Sequence, residues 1–95
     1  MKLNDFSQKK CNSGKNIQFT PKKNTRIDLE KTVPLLEKEK AIIEIETPSL
    51  LIFRLKGLQI DLNASGKTIV KIENPETAKK AFLRIFPAIS KSIKQ

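Results

Sequence analysis

The chain contains no histidine, no tryptophan and no tyrosine, and it has a single cysteine and three glycines. Each gap removes a class of chemistry. Without histidine there is no His-ligated zinc site and no histidine-dependent nucleophile. Acid–base work near neutral pH loses the residue that usually performs it. The lone thiol, Cys11, excludes an internal disulfide, and with no histidine to activate it the side chain reads as idle. No run of 18 apolar residues occurs, so no membrane-spanning helix is expected. The first residues are basic but have no apolar stretch behind them, so a secretory signal is not expected either.

What remains is enough to fold. Leu, Ile, Val and Phe make up 29 of the 95 residues, above the roughly one-fifth below which chains stay disordered. A chain of this length forms one domain and buries only ~60–65% of the surface it exposes when unfolded. Its 19 basic and 10 acidic residues leave a net charge of +9. Residues 1–26 hold seven basic groups against one acid, residues 27–47 three against six, and residues 48–95 nine against three. Such a balance favours polyanionic partners, nucleic acid before anionic lipid.

Residues 1–14 are polar and aperiodic and read as a flexible basic arm, with the folded domain covering residues 15–95. Asn16 to Thr20 alternate polar and apolar as a half-buried strand does. Asp28 is an N-cap for a helix carrying Leu29, Val33 and Leu36 at helical spacing. Pro34 either kinks that helix or sits in the first turn of a later start near Thr32. Ala41 to Glu46 and Leu50 to Leu55 are β-type segments interrupted by Thr47-Pro48-Ser49, which reads as one bent or edge strand. Leu58 to Asn63 and Thr68 to Glu73 follow as strands, joined by a hairpin loop at Ala64 to Lys67. Asn74-Pro75-Glu76 starts a last helix whose stripe is Ala78, Phe82, Ile85, Ile89 and Ile93, with Pro87 inside it. The fold class is therefore α+β: a curved antiparallel sheet of about five strands with two helices packed on one face. With the bent element counted as two, the order is β-α-β-β-β-β with a C-terminal α.

Alternation sorts the sheet into two faces. Ile17, Phe19, Leu51, Phe53, Leu55, Ile60, Leu62, Val70 and Ile72 turn towards the helices. Asn16, Gln18, Thr20, Leu50, Ile52, Arg54, Gln59, Asp61, Asn63, Lys67, Ile69 and Lys71 turn the other way. Aliphatic side chains ringed by polar ones on an uncovered face mark a contact surface. Ser65-Gly66-Lys67-Thr68 is not a P-loop, because Asp61 stands where that motif needs glycine and a strand follows instead of a helix. Asp61, Glu44, Glu46 and Glu73 have no spacing that assigns a reaction. No enzyme activity, metal or cofactor is expected.

Three stretches resemble one repeat of the TATA-box-binding protein family. Leu51-Ile52-Phe53-Arg54-Leu55 is similar to the family's apolar strand ending in aromatic-Arg-apolar. Asn63-Ala64-Ser65-Gly66-Lys67-Thr68-Ile69-Val70 is similar to its Ser-Gly-Lys turn and the strand after it. Ala81-Phe82-Leu83-Arg84-Ile85-Phe86-Pro87-Ala88-Ile89 is similar to its C-terminal helix with a proline inside. Glu44 and Glu46 occupy the place of paired glutamates that meet a transcription-factor partner in the family. The family joins two such repeats into a saddle, so one repeat implies a homodimer or a partner repeat on another chain.

The resemblance implies nucleic-acid binding through the uncovered sheet face, DNA before RNA, by Asn16, Gln18, Leu50, Ile52, Arg54, Asn63, Lys67, Ile69 and Lys71. Arg54 and Lys67 match positions that contact phosphate in the family, and Asn16 that of a groove-reading asparagine. Pro48 and Asn63 stand where two of the family's phenylalanine wedges belong, so little bending is expected. Lys9, Lys10, Lys22, Lys23 and Arg26 would add charge. The rival expectation is a protein-interaction module docking a transcription or nucleic-acid-processing partner through the sheet face or the Glu44/Glu46 edge. An auxiliary domain of a nucleic-acid enzyme is a third. No membrane association is expected, and the compartment would be the cytoplasm, the nucleoid or the nucleus.

Overall fold

Side-chain caps fix where both helices begin. The computed structural model describes residues 5–11 and 15–94. The Asp28 carboxylate accepts from the backbone N–H groups of Glu30 (3.1 Å) and Lys31 (3.4 Å), which starts α1 at Leu29–Lys38. Pro34 therefore lies in the helix interior and not in a first turn. Its exposed ring costs the bond that its N–H would have made to the Glu30 carbonyl. The helix closes with Lys40 in the left-handed region (φ 67°). Lys40 N–H donates to Glu37 O (3.0 Å) and Ala41 N–H to Leu36 O (3.1 Å), the two bonds of a Schellman ending.

Asn74 Oδ1 likewise accepts from Glu76 N–H (2.9 Å) and Thr77 N–H (3.2 Å), starting α2 (Pro75–Lys91) with proline in its first position. The helix continues through Pro87 and ends where the Ser92 hydroxyl donates to the Ala88 carbonyl (2.7 Å). Ile93 is thus not the last member of the helical stripe. It leaves the helix and bridges to Ile27. No helix among the described residues is long and apolar enough to cross a membrane.

Six antiparallel strands form one sheet: β1 (Phe6–Cys11), β2 (Asn16–Pro21), β3 (Ile42–Glu46), β4 (Leu50–Leu55), β5 (Leu58–Asn63) and β6 (Thr68–Val70), in the spatial order β1-β2-β6-β5-β4-β3. The strands β3 to β6 form a meander, and β6 then pairs with β2. The crossover through α1 carries the chain from β2 to the opposite edge. The class is α+β, as the patterning requires, with one strand more than expected.

Two corrections follow. Residues 6–11 are not a free arm: Phe6–Cys11 is an edge strand paired along its whole length with β2, while residues 1–4 and 12–14 lie outside the described residues. Ala41–Glu46 and Leu50–Leu55 are not one bent strand but a hairpin. Thr47 closes its turn, its Oγ1 accepting from Leu50 N–H (2.8 Å) and its N–H donating to Leu50 O (2.9 Å). Pro48 sits exposed at the tip, where no ladder bond is needed.

The core is a single layer. Ile17, Phe19, Leu51, Phe53, Leu55, Ile60, Leu62 and Val70 are buried on one sheet face, with Ile72 half-buried beside them. α2 lies over β6, and α1 packs against α2 and beside β3, so the apolar stripes of both helices enter the same cluster. The Phe82 ring is its centre: it stacks on Phe19 (centroids 4.2 Å apart, planes at 3°) and meets Phe6 edge-on at 5.1 Å. Phe6, only 8% exposed, also meets Phe86 at 6.0 Å, and this anchor is what turns the polar N-terminal stretch into a strand.

Gly66 (φ 90°) turns the chain between β5 and β6, and a Cβ there would lie 2.7 Å from Pro21 Cγ. Gly66→Ala is therefore expected to cost about 1–3 kcal/mol in a denaturant melt, from backbone strain alone, before the Pro21 contact is counted. Phe6→Ala is expected to cost about 3 kcal/mol and to speed amide exchange in β2. An unchanged melt would mean that β1 adds nothing to the fold.

Candidate functional site

The side of the sheet away from the helices has nothing packed on it among the described residues, and the register defines its rows. Across the middle run Lys9, Gln18, Ile69, Asp61 and Ile52. Towards one end lie Thr20, Lys67, Asn63 and Leu50; towards the other Asn16, Lys71, Gln59 and Arg54. The alternation that buries Ile17, Phe19, Ile60 and Val70 dictates this arrangement, because neighbours in a strand point to opposite sides. Leu50, Ile52 and Ile69 are half-buried, and no element seals them. Six strands spaced about 4.8 Å apart make a platform roughly 24 Å across.

The polar groups on this face are largely bonded to one another. Asp61, at its centre, faces Lys71 Nζ at 3.7 Å and accepts from Gln59 Nε2 at 3.3 Å. The central carboxylate is thereby compensated. Gln18 Nε2 donates to Thr20 Oγ1 (2.9 Å), and Asn63 Nδ2 to the Lys67 carbonyl (3.3 Å). Lys67 and Lys9 have no ion-pair partner among the described residues.

Two of the residues singled out from sequence are placed differently from what their matching implied. Asn16 opposes Cys11 at the start of β2 and is only 8% exposed, so it offers the face almost no surface. Arg54 is not a free cation: its Nε donates to Glu44 Oε2 at 3.1 Å, which joins one of the phosphate-contact candidates to one of the partner-edge candidates. Glu46 stays exposed without an ion pair among the described residues.

Sequence patterning missed the apolar surface of β3. The register shifts between Ile43 and Ile45, which makes Glu44 an extra residue. That bulge brings Ile42 and Ile45 to the same uncovered side, at 66% and 47% exposure, although residues three apart in a regular strand would oppose. No signal in the sequence marks the bulge, because regular alternation from Ile42 would send Ile45 to the core side.

Among the described residues no three Cys, Asp or Glu side chains gather as a metal-binding group. Neither a family model, nor a curated protein, nor a solved structure matches the chain.

Removing the charge at the centre of the platform tests its electrostatics. Asp61→Asn keeps an oxygen for Gln59 and frees Lys71. It is expected to change stability by less than about 1 kcal/mol, the range of a partly exposed pair. It should delay elution from heparin. Unchanged elution would mean that Lys71 does not face a polyanion bound there.

Proposed function

We propose that this is a non-enzymatic nucleic-acid-binding protein that uses the uncovered sheet face, and that its likeness to one repeat of the TATA-box-binding protein family extends to the use of that face. The observation that carries the reading is the platform itself. A full-width sheet surface holds Leu50, Ile52 and Ile69 half-buried between amides, and its central acid is neutralised by Lys71. A solvated face has no reason to cluster three large aliphatics. The net charge of +9 supplies the sequence-independent attraction. DNA is favoured over RNA by the likeness to the TATA-box-binding protein family. With Pro48 at an exposed turn and the Asn63 amide bonded to the Lys67 carbonyl across the β5–β6 turn, bases are not wedged apart and the duplex stays nearly straight.

The architecture supports binding as one copy. The far side of β2 is already taken by β1, so a second copy would have to extend the sheet at β1 or β3. β1 presents Lys9 and Lys10, and β3 carries a bulge and the glutamates Glu44 and Glu46, devices by which natural sheets resist edge pairing. A single platform 24 Å across covers about seven base pairs at roughly 3.4 Å each.

One observation favours a second reading. The exposed Ile42 and Ile45 lie beside Glu44 and Glu46 on the free β3 edge, a surface suited to a transcription-factor or other protein partner without DNA contact. An oligonucleotide titration separates the two. The first reading expects log affinity for a short duplex to fall linearly with log salt, and Ile69→Glu, at the centre of the face, to weaken binding far more than Ile42→Ser with Ile45→Ser at its β3 margin. No duplex binding, together with a partner retained after nuclease and lost with the β3 variant, decides for the second.

A further inference from the structure

The uncovered face accounts for only part of the charge: two of its cations are tied up as Lys71–Asp61 and Arg54–Glu44. Four of the remaining cations meet at one end of the sheet. The loop between β2 and α1 passes the β5–β6 turn and the C-terminal residues, and between them lies an open cleft of about 760 Å³. Lys23, Arg26, Lys67 and Lys94 line it together with the side chains of Asn24 and Ser65. No carboxylate lines it, and none of these four cations is in an ion pair among the described residues. Asp5 borders an adjoining smaller hollow that Lys23, Arg26 and Lys94 also line.

The walls are fixed by backbone bonds and not by the charged side chains. Ile27 N–H donates to Ala64 O at 2.7 Å, Lys94 N–H to Arg26 O at 2.8 Å, and Asp28 N–H to Ser92 O at 2.7 Å. The Gly66 turn packs directly on Pro21. The backbone that carries four like charges is thus fixed around one trough, an arrangement that self-repulsion opposes and a bound polyanion relieves.

We propose that this cleft holds the phosphodiester backbone of the nucleic acid that meets the sheet face; the assignment rests on that reading. Continuity supports it: Thr20 and Lys67 line the cleft and also stand next to each other on the face, so a strand crossing the platform runs into the trough. A small-molecule site would be mainly apolar, whereas the large apolar side chains next to its lining in the chain, Phe19 and Ile27, are sealed in the core. Membrane docking needs exposed apolar side chains beside the cations. The exposed ones, Ile42, Ile45 and Leu83, are on β3 and α2, and none lines the cleft.

The test is fluorescence anisotropy with a labelled 20-base-pair duplex and the corresponding single strand across a salt series. It compares the intact protein with Arg26→Gln/Lys94→Gln, with Lys79→Gln/Lys80→Gln on the exposed side of α2, and with Ile69→Glu on the face. All of these side chains but Ile69 are exposed, and thermal melts check that each variant folds. The cleft pair is expected to weaken binding at least about tenfold and to lower the salt slope by about 1.8, two phosphates' worth on duplex DNA. The α2 pair should do neither. Equal losses for the two pairs would overturn the cleft assignment, and so would vesicles of phosphatidylserine and phosphatidylcholine that bind through the cleft when oligonucleotides do not. Loss with Ile69→Glu but not with the cleft pair removes the cleft and keeps the platform. The reverse keeps the cleft and removes the platform, and no binding by the intact protein removes both.

Discussion

A chain of 95 residues has apolar material for one core layer, and most of it lies on a single side of the sheet. The Phe82 ring shows how tightly that layer is organised. It lies flat on Phe19 from β2 and takes the edge of Phe6 from β1, so one side chain of α2 binds the two N-terminal strands to the helix. With more apolar residues a second layer would close over the other side, as in a sandwich. Here both helices are needed for the first layer, and the opposite surface is left to whatever the polar residues and a few aliphatics can recognise.

Electrostatics divides the molecule differently from packing. On the platform, acids and bases are matched one to one at Asp61–Lys71 and Glu44–Arg54. Arg84 and Glu39 form a third pair at 3.5 Å that joins the two helices. Four cations with no ion pair among the described residues, Lys23, Arg26, Lys67 and Lys94, gather at the β2–α1 loop and the residues facing it. The half-buried aliphatics and the cluster of unpaired cations thus fall on adjoining surfaces.

Period-two alternation made both sheet faces legible from sequence, because burial on one side forces every second residue to the other. The caps at Asp28 and Asn74 were legible for a similarly local reason: a short side-chain acceptor followed by orphan N–H groups. What escaped depended on distant partners. Phe6 is one aromatic in a polar stretch, and nothing near it in sequence reveals the Phe82 and Phe86 rings that hold it. Pro48 was read as bending a strand, whereas Thr47 closes a turn around it. The bulge at Glu44 changed which side Ile45 faces, and so which residues make the surface. Lys94 and Ser65 joined the candidate site only because the chain end and a hairpin turn fold back beside Arg26.

The sheet is not equally strong across its width. β1 and β2 form one six-residue pair, β4 and β5 another, and the strand that sews them together, β6, has only three residues. Three rungs on each side of Thr68–Val70 hold two larger plates along a seam, with α2 lying over it like a splint. Pivoting of one plate against the other would alter how flat the bare surface is while breaking few bonds and leaving each plate's own ladder whole. The fold thus has a crease beneath Ile69 and Asp61, at the middle of the surface where a ligand would have to conform.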